Sequence, residues 1–142
     1  MPEIRILVVD DHELFRRFVC SKLETIPGMR VTGEASDGLE AVLKAEELQL
    51  DLIVLDIGLP GLDGIEAARR IRKITPKSII LFVSQESDAE VAREAFRLGA
   101  MGYVVKVHAA SELLAAVEAV LQGRRYVGSG LSGDHFFDGA DV

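Results

Sequence analysis

The chain has 142 residues, the size of one ordinary domain with its own core, and its 49% hydrophobic and 27% charged composition excludes disordered and fibrous classes. A formal net charge of −7 argues against a surface that wraps nucleic acid or lies on an anionic membrane. No apolar run approaches the roughly 18 residues a membrane span needs, and no basic segment followed by an apolar stretch opens the chain, so a soluble, cytoplasmic protein is expected.

Short apolar runs alternate with segments of helical period, the pattern of βα repeats around a parallel sheet. The first strand is expected near residues 4 to 9. Leu14, Phe15, Phe18, Val19, Leu23 and Ile26 then recur at helical spacing until Pro27 and Gly28 stop the helix. The only cysteine, Cys20, lies among these residues, so packing rather than reactivity is its expected role. In the second strand, near 30 to 35, Arg30, Thr32 and Glu34 alternate with Val31 and Ala35, the mark of a half-exposed edge. Asp37 followed by Glu40 is a capping-box variant that opens the second helix.

A third, wholly apolar strand near 52 to 55 leads through a loop to Asp63 and Gly64 and a third helix ended by Pro76. The fourth strand is expected near 78 to 83. Its helix runs from about Ser87 to Leu98, with Gly99 as C-cap. The fifth strand, near 101 to 105, precedes a helix from about Ala110 to Leu121. The whole reads as an α/β doubly wound sheet of five parallel strands in the order 2-1-3-4-5, with five helices. After Gly123 the glycines at 128, 130, 133 and 139 accompany no apolar period, so residues 123–142 are expected as a loose, flexible tail beyond a domain of residues 1–122.

Four strands end on reactive side chains: Asp10 and Asp11, Asp56, Ser84, and Lys106. In an open parallel sheet the ligand site lies outside the carboxyl ends of the strands, so these groups should converge. Three carboxylates side by side repel and call for a cation, and Mg²⁺, a hard ion that prefers carboxylates, water and phosphate oxygens, suits them. A carboxylate placed like Asp56 can attack phosphorus and form an acyl phosphate. Taken alone, Asp56 reads better as a helix-capping or loop-ordering residue, and Lys106 equally well as a surface lysine. Together, Lys106 supplies a compact positive charge for Asp56 and for phosphoryl oxygens, and Ser84 a hydrogen bond to the same oxygens. His12 stands at the start of the first helix and is expected to cap it on the surface. A flavin site is disfavoured because Asp10, Asp11, His12 and Glu13 make the loop after the first strand acidic. A metal-dependent phosphatase of the haloacid-dehalogenase type would need Asp-x-Asp there.

The stretches ILVVDDHELFRR, DLIVLDIGLPGLDGIE, IILFVS and GAMGYVVK resemble, as a set and at this spacing, response regulator receiver domains of two-component signalling, over roughly residues 3 to 122. The resemblance implies a flavodoxin-like fold with Asp56 as phosphoacceptor and a histidine kinase or phosphotransfer protein as donor. It makes Asp11 a direct Mg²⁺ ligand, Asp10 a ligand through water and the Gly58 carbonyl a further ligand. Ser84 and Tyr103 take the switch hydroxyl and switch aromatic positions, and Lys106 the lysine position. Such domains are phosphoacceptors that assist their own phosphorylation and dephosphorylation, and they switch the face formed by helix 4, strand 5 and helix 5, through which a homodimer is possible.

The stretch ELLAAVEAVLQGRRYVG is similar to the end of receivers that precede a LuxR-type (NarL/FixJ) DNA-binding domain. The chain is thus expected to be a stand-alone receiver or the N-terminal part of a longer transcriptional regulator, without nucleic-acid binding of its own. Three departures stand out. Val107 replaces the proline that often follows the lysine and leaves the usual cis peptide there in doubt. Gln85 replaces a small residue and leaves open a degenerate receiver that acts by phosphorylation-independent binding. A Gly-rich tail stands where a linker is expected.

Overall fold

Alternation along the strands decides the layers. The computed structural model describes residues 3–131. Its elements are β1 (Ile4–Val9), α1 (Glu13–Leu23), β2 (Met29–Ala35), α2 (Gly38–Glu47), β3 (Leu52–Leu55), α3 (Gly64–Ile74), β4 (Ile79–Ser84), α4 (Ala89–Arg97), β5 (Gly102–Val105), α5 (Ala109–Leu121) and β6 (Tyr126–Val127), with a 3₁₀ turn at Lys106–His108 before α5. Leu7, Val9, Ile53, Leu55, Ile80, Phe82, Tyr103 and Val105 point to one face, where Ala41, Ala67, Ala68, Ile71, Ala92 and Ala95 of α2, α3 and α4 cover them. The residues between them, Ile6, Val8, Leu52, Val54, Leu81, Val83 and Val104, point to the other face and meet Val19 and Leu23 of α1 and Leu113, Ala116, Val117 and Val120 of α5. Burial on both faces is why the inner strands read as continuous apolar runs.

All strands are parallel, in the order β2-β1-β3-β4-β5-β6. β2 is an edge strand, as its alternation predicts. Register then places the site. Val9 pairs with Leu55, Leu55 with Phe82, and Ser84 with Val105, so β1 and β3 finish level and hand Asp10 and Asp56 to the same rim. The Asp56 N–H donates to the Val9 carbonyl at 3.1 Å, which extends the ladder one step past β3. α3 approaches this rim closely: a Cβ on Gly64 would lie 2.0 Å from the Asp56 carbonyl oxygen, so only glycine lets the helix start there.

The helix signals work with small shifts. Asp37 accepts from Glu40 N at 2.8 Å and Asp63 from Glu66 N at 2.9 Å, while the Glu40 carboxylate reaches back to Ser36 N. α4 starts at Ala89 rather than near Ser87 because Asp88 is its cap, accepting from Glu90 N at 2.7 Å. Cys20 is half-buried against the α1/α5 core, and that desolvation pushes its thiol up to about 11, the inert behaviour expected of it. The peptide bonds of the described residues are all trans, the one after Lys106 included. Among them, no helix is long and apolar enough to cross a membrane.

Among the described residues the sheet has six strands, not the five expected. After α5 the chain turns back, Tyr126 N donates to the Met101 carbonyl at 3.0 Å and Gly128 N to the Tyr103 carbonyl at 2.8 Å, and Tyr126 and Val127 pair with Gly102 and Tyr103. A Cβ on Gly128 would lie 2.7 Å from the Tyr103 carbonyl oxygen, so this approach also requires glycine. Reading 123–142 as a tail misses the strand because two residues carry no period; their order comes from pairing with β5, which local sequence does not display. Residues 132–142, with Phe136 and Phe137, lie outside the described residues.

Candidate functional site

The rim gathers Asp10, Asp11, Asp56 and Lys106, as the strand ends predict. Asp10 and Asp56 are each only 3% exposed, while Asp11 sits on the open side. Buried carboxylates must be hydrogen-bonded or paired. Asp10 Oδ1 accepts from His12 N at 2.9 Å, and Asp56 Oδ1 accepts from Ile57 N at 2.7 Å. Their other oxygens share one ammonium: Lys106 Nζ is 2.8 Å from Asp10 Oδ2 and 3.0 Å from Asp56 Oδ2. Burial alone would lower the Lys106 pKa, but the hydrogen bonds and charges of Asp10 and Asp56 outweigh it and raise the pKa above its ordinary value. The ammonium also lies 4.7 Å from the centre of the Phe15 ring, a cation–π contact that makes this α1 residue part of the site.

Three carboxylates against one ammonium leave the rim with two formal negative charges. One candidate ligand atom from each of Asp10, Asp11, His12 and Asp56 falls within 4.8 Å of the others. A donor set dominated by carboxylate oxygens fits a hard divalent cation. His12 departs from its expected role: it occupies the N-cap position of α1 without a side-chain cap bond, and its Nδ1 lies 3.3 Å from both Asp10 Oδ1 and Asp11 Oδ1. Gly58 is exposed on the loop that leaves Asp56.

Ser84 ends β4 and Tyr103 lies in β5, and their hydrogen bonds go to the β4–α4 loop. Ser84 Oγ accepts from Glu86 N at 3.2 Å, and Tyr103 Oη donates to the Glu86 carbonyl at 2.7 Å. Tyr103 is fully buried, its ring 6.1 Å from that of Phe82, and burial pushes its phenol well above the ordinary value. Glu86 therefore joins the two through its main chain. No sequence signal marks it, because any residue supplies the same N–H and carbonyl. Gln85 beside it is exposed.

Arg16 and Glu34 were also missed. Arg16 Nη1 donates to the Asp10 carbonyl at 2.9 Å and its Nε to Glu34 Oε1 at 2.8 Å. A basic residue one turn into α1, after an acidic pair, was the available signal.

A family model described as "Response regulator receiver domain" matches residues 6–118. Among curated proteins, the chain is 35% identical over 129 residues to the response regulator UvrY of Escherichia coli (strain K12), covering 91% of this chain and 59% of that protein. It is 38% identical over 131 residues to the transcriptional regulatory protein LiaR of Bacillus subtilis (strain 168), covering 92% and 62%. A solved two-component response regulator of the LuxR family from Aurantimonas sp. SI85-9A1 superposes with a TM-score of 0.83 at 40% identity, covering 87% of this chain and 89% of that one. The chain belongs to the response regulator receiver family, and the Aurantimonas relative is a regulator of the LuxR family. It spans about three-fifths of the length of those curated relatives.

Proposed function

We propose that the chain accepts a phosphoryl group on Asp56 from a histidine kinase or phosphotransfer protein in the cytoplasm, with Mg²⁺ held by Asp10, Asp11, Asp56 and the Gly58 carbonyl. The observation that carries this reading is the placement of Asp56: buried at the end of β3, hydrogen-bonded through both oxygens, and beside Asp10 and Lys106. In the transfer, an Asp56 carboxylate oxygen forms a bond to phosphorus while the phosphorus–nitrogen bond to the donor imidazole breaks, and the imidazole leaves with the bonding pair. A bound Mg²⁺ would neutralise the carboxylates and the incoming phosphoryl oxygens. Such a transfer depends mainly on positioning and charge, which this rim supplies.

Lys106 pairs with Asp56 before transfer and with the phosphoryl oxygens after it. Ser84, the last residue of β4, donates to a phosphoryl oxygen once its hydroxyl turns from Glu86, and the loss of that contact frees the β4–α4 loop under Tyr103. The switch is then a local charge change read out by the loop ahead of α4. The same side chains would position water for hydrolysis of the acyl phosphate, so the domain assists its own dephosphorylation. Two copies pair through α4, β5 and α5 in the activated state. The test is intact mass after incubation with acetyl phosphate and Mg²⁺. One added phosphoryl group on the parent and none on Asp56→Asn is expected; labelling of that variant would remove Asp56 from its role, and no labelling of the parent would indicate a degenerate receiver.

A further inference from the structure

We propose that Arg16, working with Glu34, is a positioning residue that fixes Asp10 for cation binding; the proposal rests on the reading of the rim as a Mg²⁺ site. The geometry starts from an orphan carbonyl. β1 ends at Val9, and while Asp10 N donates to the Ala35 carbonyl at 3.0 Å, the Asp10 carbonyl lies past the ladder. Arg16, with its side chain only 19% exposed, fills that need with Nη1 and uses Nε on Glu34 Oε1. Glu34 belongs to β2, and its own carbonyl receives Lys44 of α2. One guanidinium thus fastens α1, the end of β1 and the end of β2 at the residue whose side chain faces the cation.

The anchor matters because the Asp10 side chain must change partners. Its Oδ2 is held by Lys106 at 2.8 Å, and a cation arriving among Asp10, Asp11 and Asp56 competes with that ammonium. A carboxylate can turn from one positive partner to another without loss of aim only if its main chain stays put. Arg16 grips the main chain and leaves both carboxylate oxygens alone. Residues that orient a metal ligand in this way are commonly worth 10-fold to 100-fold in metal affinity.

The sign of the effect separates positioning from charge. Considered only as a charge, Arg16 opposes a cation, so its removal would tighten binding; with Glu34 at 2.8 Å that opposition is largely cancelled. Considered as an anchor, its removal weakens binding. Lysine keeps the charge but cannot present two donors in a fixed fork, so Arg16→Lys should restore only part of the loss.

The experiment is a MgCl₂ titration of the full chain followed by NMR amide shifts at residues 10–12 and 56–58, with thermal melts in EDTA as a fold control. Arg16→Ala is expected to weaken Mg²⁺ affinity by roughly tenfold or more, Glu34→Gln to weaken it less, and Arg16→Lys to fall between the Ala variant and the parent. A folded Arg16→Ala that binds Mg²⁺ as tightly as the parent, or more tightly, overturns the proposal; a purely structural role would lower the melting temperature and leave the affinity of the folded protein unchanged. If Arg16→Ala does not fold, parent-like affinity in Arg16→Lys overturns it instead. Failure of the parent itself to bind Mg²⁺ would sink the cation-site reading beneath it, a distinct outcome.

Discussion

Replacing Lys106 by Met tests the electrostatics of the rim directly. Its ammonium sits 2.8 Å and 3.0 Å from carboxylates of Asp10 and Asp56 that are almost fully buried. At an effective dielectric near 20, each contact is worth about 6 kcal/mol of attraction. Desolvation of the three ions cancels most of it, at several kcal/mol per ion. What remains after the substitution is two buried carboxylates without their cation, so a loss of about 3 kcal/mol is expected in EDTA. Saturating Mg²⁺ should return most of this loss, since a ligand at 100 times its Kd stabilises by about 2.7 kcal/mol. The variant should also bind Mg²⁺ more tightly than the parent, because nothing competes for Asp10 Oδ2 and Asp56 Oδ2. The sign with pH is fixed too. A lysine whose folded pKa is raised above 10.5 stabilises fully below that value and less as pH climbs through the folded value, so the parent should lose more stability than Lys106→Met above about pH 10.5. Tyr103 titrates in the same alkaline window in both proteins, so the difference between them isolates Lys106. Urea melts with and without Mg²⁺ at neutral and alkaline pH measure all of this. A variant as stable as the parent in EDTA would refute the reasoning.

Two further substitutions probe how the backbone places the site. In Gly64→Ala the new Cβ would lie 2.0 Å from the Asp56 carbonyl oxygen, so α3 must shift; a loss of about 3 kcal/mol in a urea melt, with slower labelling of Asp56, is expected, and parent-like stability would contradict the close approach. In Gly128→Val the clash is with the Tyr103 carbonyl at 2.7 Å, and hydrogen exchange should show protection lost at Tyr126, Gly128 and Ser129 and kept in β1, β3 and β4.

The parts of the site that sequence displays are those that end apolar strands. Asp10, Asp56 and Lys106 each follow a buried run, and parallel strands in register must deliver such residues to one rim. The parts it hides act through atoms every residue has, or across elements far apart in sequence. Glu86 serves Ser84 and Tyr103 with its main chain. Phe15 fits the apolar face of α1 so well that its cation–π role toward Lys106 shows only in three dimensions. Arg16 and Glu34 meet only because β2 lies beside β1, so their pairing follows from topology and not from spacing.

β6 changes what the face of α4, β5 and α5 can do. With five strands, β5 would present an open edge, the natural place for a second copy to add a strand. Here Tyr126 and Gly128 donate to the carbonyls of Met101 and Tyr103 on that edge, Ser129 N donates to the Glu112 carboxylate at the start of α5, and Leu131 packs on the core that contains Tyr103 and Val105. The edge is therefore taken by the chain itself, and two copies that meet on this face must use the flanks of α4 and α5 or first displace residues 126–131. Residues 126–131 are hydrogen-bonded to the strand that carries Tyr103, with Gly128 N on the Tyr103 carbonyl itself. A signal at Asp56 that reached Tyr103 would therefore need no further relay to reach residues 126–131.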